Sequence, residues 1–197
     1  AVHSGEKLKS LDEFARHCTR LSHVAKTLSP QSTTVLAAGG GSVGDFAGFF
    51  ASVYKRGVNL VHVPSTWLAA IDSSHGGKTA LNNQGAKNQI GSFHCATQVV
   101  IMRSLLRSQP KARLLDAFGE LAKIAMIDGG MWVRQLERSR LQGEELIWRY
   151  LRFAIGSKLK VVRRDPYEKT KYRQLLNLGH TLGHVFEVQY GWSHGFA

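Results

Sequence analysis

The sequence predicts an α/β protein in two parts, a parallel α/β half followed by an all-helical half. Strand-like and helix-like segments alternate through the first hundred residues, the pattern of a parallel sheet. After about Ser104 the remaining segments all read as helices, with no convincing strand between them. Ser108-Gln109-Pro110 interrupts the pattern where the character changes, so the boundary falls near 104–110 and divides the chain into 1–106 and 107–197.

In order, Leu11 to Leu28 has apolar residues near helical spacing, with Ser10 as N-cap and Glu13 three residues on. Thr33 to Ala38 is a short β-prone run that ends in Gly39-Gly40-Gly41-Ser42-Val43-Gly44-Asp45. Phe46 to Tyr54 reads as a buried helix, Asn59 to Val63 as a strand, Pro64 to Ala70 as loop and helix, and Gln98 to Met102 as another core strand. The helical half is read as Ala112–Ile127, Met131–Ser139, Gly143–Val162 and Arg173–Gln189.

Composition narrows the class. With 43% hydrophobic and 20% charged residues the chain is expected to be globular and soluble. No run reaches the roughly 18 apolar residues of a membrane span, and the first residues lack the apolar core of a signal peptide. The two cysteines, Cys18 and Cys95, form no disulfide framework or metal spacing, so reduced thiols in a cytoplasmic setting are expected. A net charge of +12 suits nucleic acid or a small multiply charged anion. The basic residues are dispersed and no nucleic-acid motif is present, so the expectation is no nucleic-acid and no membrane partner.

Four clusters carry chemistry. The glycine turn at 39–45 frees the backbone to approach a diphosphate at a helix N-terminus, and is equally compatible with tight strand-to-helix packing. Gly76-Gly77-Lys78-Thr79 ends like a P-loop, but Asp72 stands where that motif needs glycine, which disfavours NTP hydrolysis. Lys78, Lys87 and Asn88 suit a phosphate, or else belong to an exposed glycine-rich loop. Glu120 and Lys123 lie three apart on a helix, a surface ion pair unless the carboxylate completes a metal site. His180 and His184, four apart, share one helix face, and His194 follows; this spacing alone suggests the first two as joint metal ligands, or else one partly buried structural histidine and one exposed.

Together with Ser4-Gly5-Glu6-x-x-Lys9, Arg56-Gly57, Pro64-Ser65-Thr66 and Asn177-Leu178-Gly179-His180-Thr181-Leu182-Gly183-His184, these motifs resemble the 3-dehydroquinate synthase family along nearly the whole chain. The resemblance implies a Rossmann-like NAD-binding domain followed by a helical metal-binding domain, both incomplete at the outer ends of this chain. It implies Zn²⁺, with Co²⁺ as a substitute, held by Glu120, His180 and His194, so that His184 becomes an active-site neighbour of the metal. Glu6, Lys9, Gly40, Gly41, Asp45, Ser65, Thr66, Leu68 and Lys87 take cofactor-side positions. Asp72, Lys78, Asn88, Lys123, Lys158, Arg173, Asn177 and His184 take substrate-side positions. Lys78 and Asn88 are expected to face phosphate, and Lys158, Arg173 and Asn177 a carboxylate. Arg56 is placed to reach a neighbouring subunit's site in a homodimer.

The implied reaction is cyclisation of a heptulosonate phosphate with loss of phosphate, NAD acting catalytically. Related inosose- or valiolone-forming cyclases and metal-dependent alcohol dehydrogenases are the alternatives. Phe196 departs from the family's usual Glu, and Asp165-Pro166-Tyr167-Glu168-Lys169 replaces a more acidic run. The family extends further at both ends, so the 197-residue chain alone is expected to turn over slowly.

Overall fold

The computed structural model describes residues 5–24 and 26–196; Ser4 of the first motif lies outside them. Strands β1 (Thr34–Gly39), β2 (Asn59–Pro64) and β5 (Gln98–Val99) form a parallel sheet in the order β1-β2-β5. Thr34 pairs with Asn59 and Gly39 with Pro64, so the two longer strands end level with one another. Helix α1 (Leu11–Val24) precedes this sheet, and α2 (Gly41–Val53) links β1 to β2 as a parallel crossover. The glycines of α2 allow close packing. A Cβ on Gly48 would sit 2.4 Å from Thr79 Cγ2, and one on Gly44 3.2 Å from the His62 ring.

Beyond β2 come α3 (Trp67–Ile71) and an antiparallel hairpin of β3 (Lys78–Asn83) and β4 (Ala86–Phe93). After β5, the described residues hold no further strand. They form α4 (Arg103–Arg107), α5 (Leu114–Asp128), α6 (Met131–Glu137), α7 (Gly143–Arg164) and α8 (His180–Tyr190). The largest core cluster joins Trp67, Ala70 and Ile71 of α3 to Leu121 and Ile124 of α5 and Ile147, Leu151 and Ala154 of α7. The apolar face of α3 thereby ties the sheet to the helices and sets the distance between the chemistry on either side.

Several element expectations need correction. Helix α2 begins at Gly41, not Phe46, because the turn glycines continue into its first turns. Residues 78–93 form a hairpin, not a surface loop; Thr79 and Leu81 alternate inward, and Gln84-Gly85 turn the chain with φ of +48° and +81°. The expected helix from Arg173 to Gln189 is split: Tyr172–Asn177 is a 3₁₀ turn, and Gly179, at φ +82°, breaks it from α8. Helix α1 stops at Val24, and β5 has two residues where five were expected.

Candidate active site

The level ends of β1 and β2 place the first group of residues. The Gly40 turn and Ser65-Thr66 lie side by side: Ser65 N donates to Gly39 O at 2.9 Å, and a Cβ on Gly40 would lie 3.2 Å from Thr66 Cγ2. Thr66 Oγ1 caps α3 by accepting from Ala69 N at 3.1 Å. This crevice beyond the carboxyl ends of parallel strands is where open α/β sheets bind ligands. Next to it Lys9, 3% exposed, donates to Asp45 Oδ2 at 2.7 Å and contacts Asn88 Oδ1. Glu6 accepts from Ser42 Oγ at 2.7 Å and from Asn82 Nδ2 at 3.1 Å. Burial works to raise the Glu6 pKa, yet these bonds and Lys9 hold it below the ordinary value, whereas burial pushes Asp45 up. Leu68 is half-buried on α3, and Lys87 is exposed on β4.

A second group surrounds a pocket of about 100 Å³ lined by Asp72, Lys78, Lys123, Lys158, Arg173, Leu176, Asn177 and His180. Lys158, 4% exposed on α7, donates to Asp72 O at 2.5 Å and pairs with the Asp72 carboxylate. Burial opposes the charge on Asp72, but the Lys158 and Lys123 cations outweigh it and hold the carboxyl well below the usual range. Lys78 pairs with Glu168. Arg173 donates to Gly76 O at 2.5 Å and Pro166 O at 2.8 Å. Asn88 does not line this pocket; its Oδ1 faces Lys9 and its N–H donates to Asn82 Oδ1 at 3.0 Å.

The third group lies against the second. Glu120, Lys123, His180, His184, Glu187 and His194 line a cavity of about 140 Å³, and Lys123 and His180 belong to both pockets. Ligand atoms of His180, His184 and His194 all lie within 4.8 Å of one another. The geometry therefore assembles all three imidazoles, not only the i,i+4 pair. Glu120 and Lys123 are no surface pair: Glu120 is 4% exposed and its Oε2 is 2.7 Å from Lys123 Nζ. Burial, then the Asp72 carboxylate, raises the Glu120 pKa. Burial, with Lys123 and His194 nearby, lowers that of His180 and so favours the neutral form that ligates metal. Glu120 Oε1 and His180 Nδ1 are buried without hydrogen-bond partners. Orphaned polar atoms lining one cavity, from a carboxylate and an imidazole, fit a divalent cation.

Sequence reasoning missed three carboxylates that hold these groups in place. Asp165, 2% exposed, accepts backbone N–H bonds from Lys169, Thr170 and Arg173, and so shapes the loop that delivers Arg173. Asp116 accepts from Gly195 N at 3.2 Å, and Glu187 accepts from His194 Nδ1 at 2.6 Å. The available signal was position: Asp165 ends a helix, and Glu187 lies one turn beyond His184.

Comparison with known proteins identifies the family. The family model described as 3-dehydroquinate synthase N-terminal matches residues 1–116, and the C-terminal one residues 117–197. The chain belongs to the 3-dehydroquinate synthase family. It is 35% identical over 201 residues to a 3-dehydroquinate synthase of Staphylococcus aureus, covering 100% of this chain and 55% of that protein. A 3-dehydroquinate synthase of Xanthomonas campestris is 37% identical over 195 residues, covering 97% and 52%. The chain thus spans about half the length of the curated relatives it matches. A solved 2-deoxy-scyllo-inosose synthase, complexed with carbaglucose-6-phosphate, NAD⁺ and Co²⁺, superposes with TM-score 0.83 at 28% identity, covering 98% of this chain and 54% of that one. A 2-epi-5-epi-valiolone synthase from Streptomyces hygroscopicus, with NAD⁺ and Zn²⁺ bound, shares the fold at TM-score 0.79 and 23% identity, covering 98% and 55%.

Proposed function

We propose that this chain carries the active-site core of a 3-dehydroquinate synthase. It converts 3-deoxy-D-arabino-heptulosonate 7-phosphate to 3-dehydroquinate and phosphate, a carbon–oxygen lyase reaction of the shikimate pathway of aromatic amino-acid and chorismate biosynthesis. The observation that carries the reading is the shared wall between a His/Glu metal cavity and a pocket lined by Lys78, Lys123, Lys158 and Arg173. A substrate with two anionic ends and adjacent hydroxyls needs both.

In this reading residues 1–106 bind NAD and 107–197 bind metal and substrate, in a cytoplasmic homodimer without nucleic-acid or membrane partners. No helix among the described residues is long and apolar enough to cross a membrane. Glu120, His180 and His194 hold the divalent metal, with His184 beside it. When bound, the metal would supply Lewis-acid activation of a substrate hydroxyl, and NAD would supply a reversible hydride acceptor. Lys158, Arg173 and Asn177 bind the substrate carboxylate, and Lys78 binds the phosphate. Asp72, held ionised by Lys158 and Lys123, orients the polyol. His184, exposed at the cavity mouth, exchanges a proton with substrate oxygen. Glu6, Lys9, Gly40, Gly41, Asp45, Ser65, Thr66, Leu68 and Lys87 face the cofactor.

The test is phosphate release with NAD⁺ and Zn²⁺ from the heptulosonate phosphate, against glucose 6-phosphate and sedoheptulose 7-phosphate. Preference, not rate, is the readout. The heptulosonate phosphate is expected to be preferred with no net NADH; preference for either sugar phosphate, or accumulating NADH, would reject the assignment.

A further inference from the structure

We propose that Glu187 is a positioning residue that fixes the His194 ring for a divalent metal. The inference rests on the metal-site reading above and deepens it. His194 lies in the turn after α8, so no helix holds its ring. Aromatic packing and two hydrogen bonds fix that turn. Phe196 packs edge-on against Trp192 with ring centroids 5.0 Å apart, and Trp192 lies 5.3 Å from Phe186 on α8. Gly195 N donates to the buried Asp116 at 3.2 Å. Glu187 Oε1 accepts from His194 Nδ1 at 2.6 Å. Of these, the bond to Glu187 touches the imidazole itself.

The chemistry of that contact selects one tautomer. An ionised carboxylate only accepts, so Nδ1 carries the proton and the Nε2 lone pair is left for an ion. A carboxylate behind a ligating imidazole also makes it a better donor to metal. Glu187 lines the same cavity, but its Oε1 is engaged by His194 Nδ1 at 2.6 Å, on the side of the ring away from Nε2. Its place is behind a ligand.

The test uses the 197-residue chain, Glu187→Gln and Glu187→Ala. Zn²⁺ affinity is measured by competition with a chromophoric chelator, and ¹H–¹⁵N spectra of the metal-free proteins report the His194 tautomer. Glu187→Ala is expected to weaken zinc binding by about 10- to 100-fold and to convert the Nδ1–H form into a tautomer mixture. Glu187→Gln, whose amide oxygen still accepts the bond, is expected to lose less; it carries the test if the alanine variant fails to fold. Unchanged affinity in both variants overturns the role of Glu187 while leaving the metal site standing. Weakened affinity with an unchanged tautomer also overturns it, since that marks a merely structural effect. A wild-type chain that binds no zinc overturns the metal-site reading itself, and the proposal with it.

Discussion

The crevice around Lys9 and the cavity around His180 are both polar, yet they satisfy their polar groups differently. Around Lys9, each charge meets an opposite charge or a hydrogen bond from the protein: Asp45, Asn88, Glu6, Ser42 and Asn82 partner one another. Around His180, Glu120 Oε1 and His180 Nδ1 are buried without partners. The first network belongs to the folded state itself; the second pays a desolvation cost that a bound cation would offset. Loss of a group should therefore show in stability on one side and in metal affinity on the other.

Lys9→Met tests the first side most severely. It leaves Asp45 without its cation, so about 3 kcal/mol of stability should be lost, with zinc affinity unchanged; thermal or urea unfolding measures it. If stability holds and zinc affinity falls, the two regions are not separable as described. Glu120→Ala tests the second side. Zinc affinity should fall by more than about 100-fold, beyond the range seen for outer partners of a metal site, and chelator competition reads it directly. An unaltered zinc affinity would remove Glu120 from the ligand set.

The smallest expected effect is on pH. Burial, the largest influence on His75, lowers its pKa to about 4 from an ordinary 6.5, while Nε2 meets Ala70 O at 2.9 Å. The unfolded chain therefore binds a proton between pH 6.5 and 4 that the folded chain does not, so stability falls as pH drops through that window. The loss attributable to His75 is about 2 kcal/mol after allowance for its partial exposure. His75→Gln should flatten urea-derived stability across that window, and an unchanged slope would clear His75 of the effect.

Much of this was legible in sequence because the informative residues sit in compact motifs. The turn at 39–45, Ser65-Thr66 and the His180–His184 spacing each placed side chains where the fold brings them. The hairpin was not legible. Its turn residues are Gln84-Gly85, with Asn83 one position too early for the usual Asn-Gly signal, and β4 is mostly exposed, so it lacks alternation. The hairpin also sets Asn88 Oδ1 against Lys9 and its N–H against Asn82 Oδ1, contacts that no spacing in the sequence announces. The convergence of Asp116 with Gly195 was beyond reach, since it depends on α5 and the turn after α8 meeting at glycines. A Cβ on Gly195 would lie 2.2 Å from Asp116 Cα, and one on Gly119 2.2 Å from Gly195 O.

Lys123 lies in the wall that the two helical-side pockets share, with Glu120 as its partner. A cation that engages Glu120 weakens its hold on Lys123 and frees that ammonium for an anion next door. Occupancy of the two pockets is then thermodynamically linked, and whatever factor the metal adds to anion affinity the anion must return to the metal. Zinc titrations with and without inorganic phosphate would expose the exchange as a shift in both dissociation constants, and equal constants would show the wall to be passive.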